Sequence, residues 1–288
     1  MNQDVLSRLL CPDLHLRIYT VTSPGASREI LRLHQPSPAA AAHLVRALNG
    51  TALLSASLKL DTDQNLSLSL TGNGSLREIH IQADARGHIR GYVSEREDQA
   101  GQHIGFLPGD GILRVTRNLG LKEPYTYAGP LQRGDIAGEL AYYLTVSEQV
   151  PSALILAFET NDSAIIRVSG GLLIQTLPDT PPGVIELVED RVRNPRLSLA
   201  DHLASGNDIY SYAMELLDNA PLHLLQSQPL TLSCRCSYDM LRGVLCTLPR
   251  SELDSMIEEG GNTEVVCTFC REKYLFTADD LREMLPSQ

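Results

Sequence analysis

The first 178 residues alternate between two hydrophobic periods. Residues 14–22, LHLRIYTVT, switch between apolar and polar side chains, the period of a half-buried strand. Residues 37–60, SPAAAAHLVRALNGTALLSASLKL, set Ala and Leu at helical spacing and predict a long buried helix that absorbs Gly50. LSLSLTGNG (66–74) alternates Leu with Ser up to a glycine turn and predicts a strand. REIHIQAD (77–84) and HIRGYV (88–93) predict two more, joined through Arg86-Gly87, and GILRVTRNL (111–119) alternates again. GDIAGELAYYLTVSEQ (134–149) predicts a helix with Ile136, Leu140 and Tyr143 or Leu144 on one face. ALILAFET (153–160) and AIIRVSGGLLIQTLP (164–178) predict strands. Together these elements predict an α+β domain with a sizeable antiparallel sheet.

Beyond it the pattern changes. DTPPG opens residues 179–230, and Pro195, Gly206, Pro221 and Pro229 interrupt them. Short helices are predicted at 184–193, 198–204 and 208–217, with Ser198 and Asn207 as caps of the second and third. Helices this short need something to pack on, so 179–230 reads as a metastable helical linker. Residues 231–288 form a third part. DMLRGVLCTL (239–248) predicts a helix with Met240, Leu241, Val244, Leu245 and Leu248 on its apolar face. Ser251 with Asp254 and Thr277 with Asp280 are candidate capping boxes, and Gly260 is a helix stop. The expected order is an N-terminal α+β core at 1–178, a linker at 179–230 and a small C-terminal domain at 231–288.

Composition narrows the function. The 288 residues are 43% hydrophobic and 20% charged, which is globular and excludes collagen, coiled coil and wholesale disorder. Lys and Arg number 24 against 35 Asp and Glu, so the net charge is −11 and the chain repels phosphate backbones. It has no Trp and few aromatics, which argues against a base-stacking platform. MNQDVLSRLL carries an Asp and no long apolar run, so no signal peptide is expected. Stretches such as ALILAF fall far short of the roughly 20 residues that span a bilayer. The expectation is a soluble cytoplasmic protein with no nucleic-acid or membrane partner.

Candidate chemistry is concentrated in the cysteines. Five of six lie near the C-terminus: Cys234, Cys236, Cys246, Cys267 and Cys270. Cys234-Arg-Cys236, a gap of 30 residues, then Cys267-Thr-Phe-Cys270 is the layout of a four-thiolate zinc site, each close pair supplying one edge of a tetrahedron. The C-x-C half and the long gap are less common than two C-x-x-C halves. Four buried free thiols and a thioredoxin-like redox motif are the alternatives. The redox motif wants its C-x-x-C at a helix start, and the following EKYLF is a poor helix. A unit of this size has a marginal core, so a structural metal contributes much of its stability. If oxidation joined each close pair, the disulfides would close tiny loops and stabilise little, and the tie across the gap would go with the metal. If it joined cysteines across the gap, the fold could survive. Cys246 reads as a helix-surface thiol and Cys11 as a structural one.

Other motifs carry less. Gly72-Asn-Gly74 lacks the third glycine of a dinucleotide fingerprint and reads as a turn. The eight histidines (15, 34, 43, 80, 88, 103, 202, 223) show no ligand spacing, and Glu148 and Glu159 form no acid/base pair. Tyr142-Tyr143 reads as helix surface and core. No catalytic site is expected.

Six stretches stand out: GNGSLREIHIQADARGHIRGYV (72–93), GILRVTRNLGLKEPYTYAG (111–129), GDIAGELAYYLTVSEQVPSALILA (134–157), GGLLIQTLP (170–178), CRCS (234–237) and EVVCTFCREKYLF (264–276). They resemble the redox-regulated 33-kilodalton heat-shock chaperone family. They span nearly the whole chain in family order. The resemblance implies an ATP-independent holdase of the bacterial cytoplasm that binds unfolding client proteins and is usually a dimer when active. It implies one Zn²⁺ held in the reduced, inactive form by Cys234, Cys236, Cys267 and Cys270. It also implies that oxidation forms the disulfides Cys234–Cys236 and Cys267–Cys270, releases zinc, and unfolds the zinc domain and linker. Ser147-Glu148-Gln149-Val150-Pro151 matches a family signature with no evident chemical role. Gly138-Glu139 replaces the family's more usual acidic pair, and Cys246 is an additional thiol. The competing functions are a thiol–disulfide oxidoreductase using Cys267 and Cys270, and a zinc-ribbon adaptor.

Overall fold

A computed structural model describes residues 3–96, 111–161, 163, 165–260 and 262–285; His103 lies outside them. The chain divides into two compact units, residues 1–232 and 233–288.

The first unit is built on two sheets. The segment 14–22 forms β2 (Leu16–Thr22), preceded by β1 (Val5–Cys11), and the two are followed by α1 (Pro24–His34) and α2 (Pro38–Ser55). Next come β3 (Asn65–Gly72), β4 (Leu76–Asp84), β5 (His88–Glu95), β6 (Gly111–Asn118), β7 (Tyr125–Pro130), α3 (Ile136–Val146), β8 (Ser152–Thr160) and β9 (Ile166–Thr176). The expected helices of 179–230 are α4 (Pro182–Arg193), α5 (Leu199–Ala204) and α6 (Ile209–Leu216), and β10 (His223–Pro229) and β11 (Thr231–Leu232) follow them. One sheet has the order β10-β1-β2-β9-β8 and the other β11-β5-β4-β3-β6-β7. Every pairing is antiparallel except β11 with β5. The antiparallel α+β expectation is met.

Helix α2 explains the layering. It buries Ala40, Leu44, Ala47, Leu48, Ala52 and Leu53, so it is apolar nearly all round and packs against strands of both sheets. A side chain at Gly50 would run into Leu140 Cδ1 of α3, so glycine lets the two helices approach closely. The Leu/Ser alternation of β3 turns Leu66, Leu68 and Leu70 into this core. One buried polar knot sits within it. The Asn49 amide donates to Ser169 Oγ at 3.0 Å, and Ser23, Ser27 and Ser169 share hydrogen bonds. This satisfies groups whose burial would otherwise cost stability.

The outer face of the first sheet has its own core. Leu9, Cys11, Leu16, Ile18, Leu172 and Ile174 meet Val188 of α4, Leu199 and Leu203 of α5, and Ile209, Ala213 and Leu216 of α6. Residues 223–232 tie the sheets together at their edges, with β10 on β1 and β11 on β5. The β4–β5 turn lies beside them. Gly87 has φ +84, and a side chain there would run into the Pro229 carbonyl.

Some local expectations are corrected. Ser198 caps α5, accepting from Asp201 N–H at 3.0 Å, but α6 is capped by Asp208 rather than Asn207, its Oδ1 accepting from Ser211 N–H at 2.7 Å. Asp208 stands at the N-cap itself, from which its carboxylate reaches the N–H of the third helical residue. The elements β1, α1, β7 and β10 were not expected from the periodicity.

Candidate metal centre

The second unit contains α7 (Tyr238–Leu245), α8 (Arg250–Glu258), β12 (Asn262–Val266), β13 (Lys273–Thr277) and α9 (Ala278–Met284). Its core is small: Leu241, Leu245, Leu253, Phe276, Leu281 and Met284, with Tyr238 stacked on Phe276 at 4.4 Å. The Thr277–Asp280 capping box forms, and Gly260 ends α8 region chain in the left-handed conformation at φ +70. The Ser251–Asp254 box does not form. Helix α8 starts two residues earlier, after Pro249, and Asp254 pairs with Arg250 at 3.5 Å. The expected apolar face of α7 is also narrower, because Leu241 and Leu245 are buried while Met240 and Val244 are about half exposed.

Two different local structures present the four cysteines. Cys234 and Cys236 lie in extended chain that ends where Ser237 caps α7, its Oγ accepting from Met240 N–H at 3.1 Å. Cys267 and Cys270 lie on the turn between the paired strands β12 and β13. That turn is closed by Cys267 N–H donating to Glu272 O at 2.8 Å and Arg271 N–H donating to Cys267 O at 2.9 Å, with Arg271 at φ +61. The C-x-x-C therefore sits in a hairpin knuckle, not at a helix start, which removes the structural context of a thioredoxin-like motif.

The four sulfurs converge within 4.8 Å of one another, and they are the one His/Cys/Asp/Glu cluster of metal-binding geometry found among the described residues. Cys234 Sγ lies 3.7 Å from Cys267 Sγ, and Cys236 Sγ lies 3.3 Å from Cys270 Sγ. None of the four is in a disulfide. A tetrahedral ion with metal–sulfur bonds near 2.3 Å requires sulfurs about 3.8 Å apart, so the donor set fits a four-thiolate metal ion. Burial pushes the Cys236 and Cys270 thiols up from the ordinary thiol range. A divalent cation inverts that tendency, because coordination deprotonates a thiol outright.

One neighbour was not anticipated. The Tyr274 hydroxyl donates to Cys236 Sγ at 3.2 Å, and that bond, followed by burial, pushes the phenol up. Tyr274 precedes buried Phe276 by two residues on β13, so both share one face while Leu275 points away, 55% exposed. The strand alternation in EKYLF carried this signal. Cys246 is exposed at the C-terminal cap of α7, and Cys11 is buried in the first unit, where burial raises its thiol.

A family profile described as Hsp33 protein matches residues 4–277. The chain belongs to the Hsp33 family. It is 35% identical to the 33 kDa chaperonin of Symbiobacterium thermophilum over 98% of this chain and 97% of that one. It is 36% identical to the 33 kDa chaperonin of Syntrophotalea carbinolica over 98% and 99%. The crystal structure of the Hsp33 homologue from Thermotoga maritima superposes with a TM-score of 0.84 at 28% identity, covering 99% of this chain and 98% of that one. Membership of the Hsp33 family makes this protein a chaperone, and no helix among the described residues is long and apolar enough to cross a membrane.

Proposed function

We propose that this Hsp33 protein is a redox-controlled, ATP-independent holdase of the bacterial cytoplasm. In this reading Cys234, Cys236, Cys267 and Cys270 hold one Zn²⁺ in the reduced, resting form. The observation that carries it is the convergence of four thiols within 4.8 Å in a unit whose described residues include a core of six buried hydrophobic side chains. Bound zinc would supply a cross-link between the chain before α7 and the β12–β13 turn, on the order of 10–16 kcal/mol in comparable small domains.

Oxidation reverses this. Each zinc-bound thiolate pair gives up two electrons to one hydrogen peroxide, which takes two protons from solvent and leaves as two waters, and the zinc departs as Zn²⁺. Disulfides Cys234–Cys236 and Cys267–Cys270 would span one and two residues, so neither restrains the unit as a whole. The unit then unfolds and the segment before it loosens. The outer face of the first sheet lies under α4, α5 and α6, which contribute few buried side chains each. Once they lift, that apolar face is open to unfolding clients. The active form is a homodimer in this reading, and no enzymatic, nucleic-acid or membrane role is assigned.

The test is light scattering from heat-unfolding citrate synthase without ATP, with the protein either reduced and zinc-loaded or oxidised by peroxide at raised temperature. The reading expects suppression by the oxidised form alone. Equal suppression by both forms would leave a chaperone whose cysteine site is structural, and suppression by neither would sink the proposal.

A further inference from the structure

The outer face of the first sheet is one surface that unfolding would bare; its edge is another, and its chemistry is different. We propose that the edge of β1 now covered by β10 is a capture site where an extended segment of an unfolding client adds as an antiparallel strand. This rests on the holdase reading and deepens it.

Strand β10 is weakly held. None of its seven residues is buried, and Leu224 and Leu225 are 59% and 61% exposed although they point to opposite faces. It is an edge strand with a ladder on one side only, its register on β1 slips between Arg8 and Leu9, and Pro229 has no N–H to donate. It is fastened at its two ends: upstream Leu222 is buried against α6 and its carbonyl accepts from the Tyr210 hydroxyl at 2.7 Å, and downstream Leu230 is buried and Thr231–Leu232 pair with β5. The downstream fastening ends two residues before Cys234, so it adjoins the thiol unit along the chain.

Strand β1 is held independently. All seven of its residues pair with β2, and Leu6, 2% exposed, packs in the inner core between the sheets rather than under α4–α6. Loss of β10 therefore leaves β1 in place, with a row of preformed backbone donors and acceptors. An open edge of this kind is a template for another strand. Strand addition draws its affinity from main-chain hydrogen bonds, and every polypeptide carries those groups. A site of this type takes clients of unrelated sequence, provided they are extended. Folded proteins, whose backbones are already paired, are excluded.

Amide hydrogen exchange of the full chain, read on peptides covering residues 3–12, tests the proposal. The protein is compared reduced, oxidised, and oxidised with heat-unfolding citrate synthase, at two protein concentrations, with scattering followed in the same samples. Oxidation should speed exchange of the β10-facing amides of residues 5–11 by at least about tenfold, while β3 and β4 stay protected. Citrate synthase should return the β1 amides to their reduced-form protection. Captured client with β1 still protected throughout, or with β1 exposed throughout, overturns the proposal. Protection that returns with protein concentration alone means a second copy fills the edge, and also overturns it. If scattering is suppressed in no sample, it is the holdase reading that fails.

Discussion

Arg117 on β6 and Glu148, in the loop after α3, form an ion pair at 2.7 Å. Their side chains are only 9% and 21% exposed. Tyr143 donates its hydroxyl to the same carboxylate, and Arg117 also reaches Ser57 Oγ at 3.1 Å beyond the end of α2. Glu148 thus joins the α3–β8 connection to the opposite sheet, a structural role for the Ser147–Pro151 signature. Removing one partner of a buried pair leaves an uncompensated charge. Glu148→Ala should cost about 3 kcal/mol, and Arg117→Met with Glu148→Leu should cost less than either single change. Urea midpoints at unchanged m-value check both.

Metal removal is expected to act on one unit. Stripping zinc with a strong chelator under reducing conditions should abolish amide protection in residues 233–285 while β3 and β4 keep theirs. Cys267→Ser should do the same without chelator. Protection that survives both treatments would show that the six-residue core suffices alone.

The disulfide map decides whether oxidation is a switch. The sulfur contacts at 3.7 and 3.3 Å both run across the gap, Cys234 to Cys267 and Cys236 to Cys270. Cross-gap pairing is therefore sterically open. The switch nevertheless requires the local pairs Cys234–Cys236 and Cys267–Cys270, and peptide mapping after peroxide treatment should find them. Cys246→Ser should leave the map unchanged. Cross-gap pairs as the main product would keep the unit tied and defeat the mechanism.

Tyr274→Phe removes only the hydroxyl that donates to Cys236 Sγ. A hydrogen bond to sulfur draws charge from it and makes it a poorer nucleophile. Its loss, at roughly 0.5–1 kcal/mol of barrier, should speed peroxide-driven zinc release about threefold. A chromogenic zinc indicator follows this directly, and an unchanged rate would leave Tyr274 a packing residue.

Asp84 gives a pH signature. Burial alone would raise its carboxyl, but hydrogen bonds from the His88 ring at 2.9 Å and from the His88 and Arg86 N–H groups outweigh it and hold it below the usual carboxylate range. A group depressed in the folded state contributes stability above its unfolded value, about 3.9, that is lost as pH falls through the folded one. The wild type should thus lose stability below about pH 5 more steeply than Asp84→Asn. Urea midpoints between pH 7 and 3 compare the two.

The cysteine spacing was legible because a metal site needs donor chemistry at set intervals, and both halves of Cys234–Cys270 carry it. The Leu/Ser alternation of β3 and the Ala-rich run of α2 were legible for a similar reason, since each writes its burial into a period. Strand β10 was not, because HLLQSQP buries no side chain and so has no pattern to show; its place is set by the backbone of β1. Helix α1 buries only Ala26, Ser27 and Ile30, too few for a helical stripe. Met240 and Val244 misled because an apolar residue on a small unit need not be inside it. The alternation in EKYLF places Tyr274 on the inner face beside Phe276, but no local spacing announces its partner, the distant Cys236.

The hydrogen bond between Ser7 and Ser227 joins residues 220 apart in the chain. Contacts of that separation form late, because the intervening loop must be closed first. During synthesis β1 emerges near the beginning and its edge partner near the end, so almost the whole protein is made before that edge is covered. The nascent chain therefore passes through a stage at which it is itself an incompletely paired sheet, exposed to the same misassembly that threatens other unfinished proteins. Closing β10 over β1 is a late step in completing the first unit.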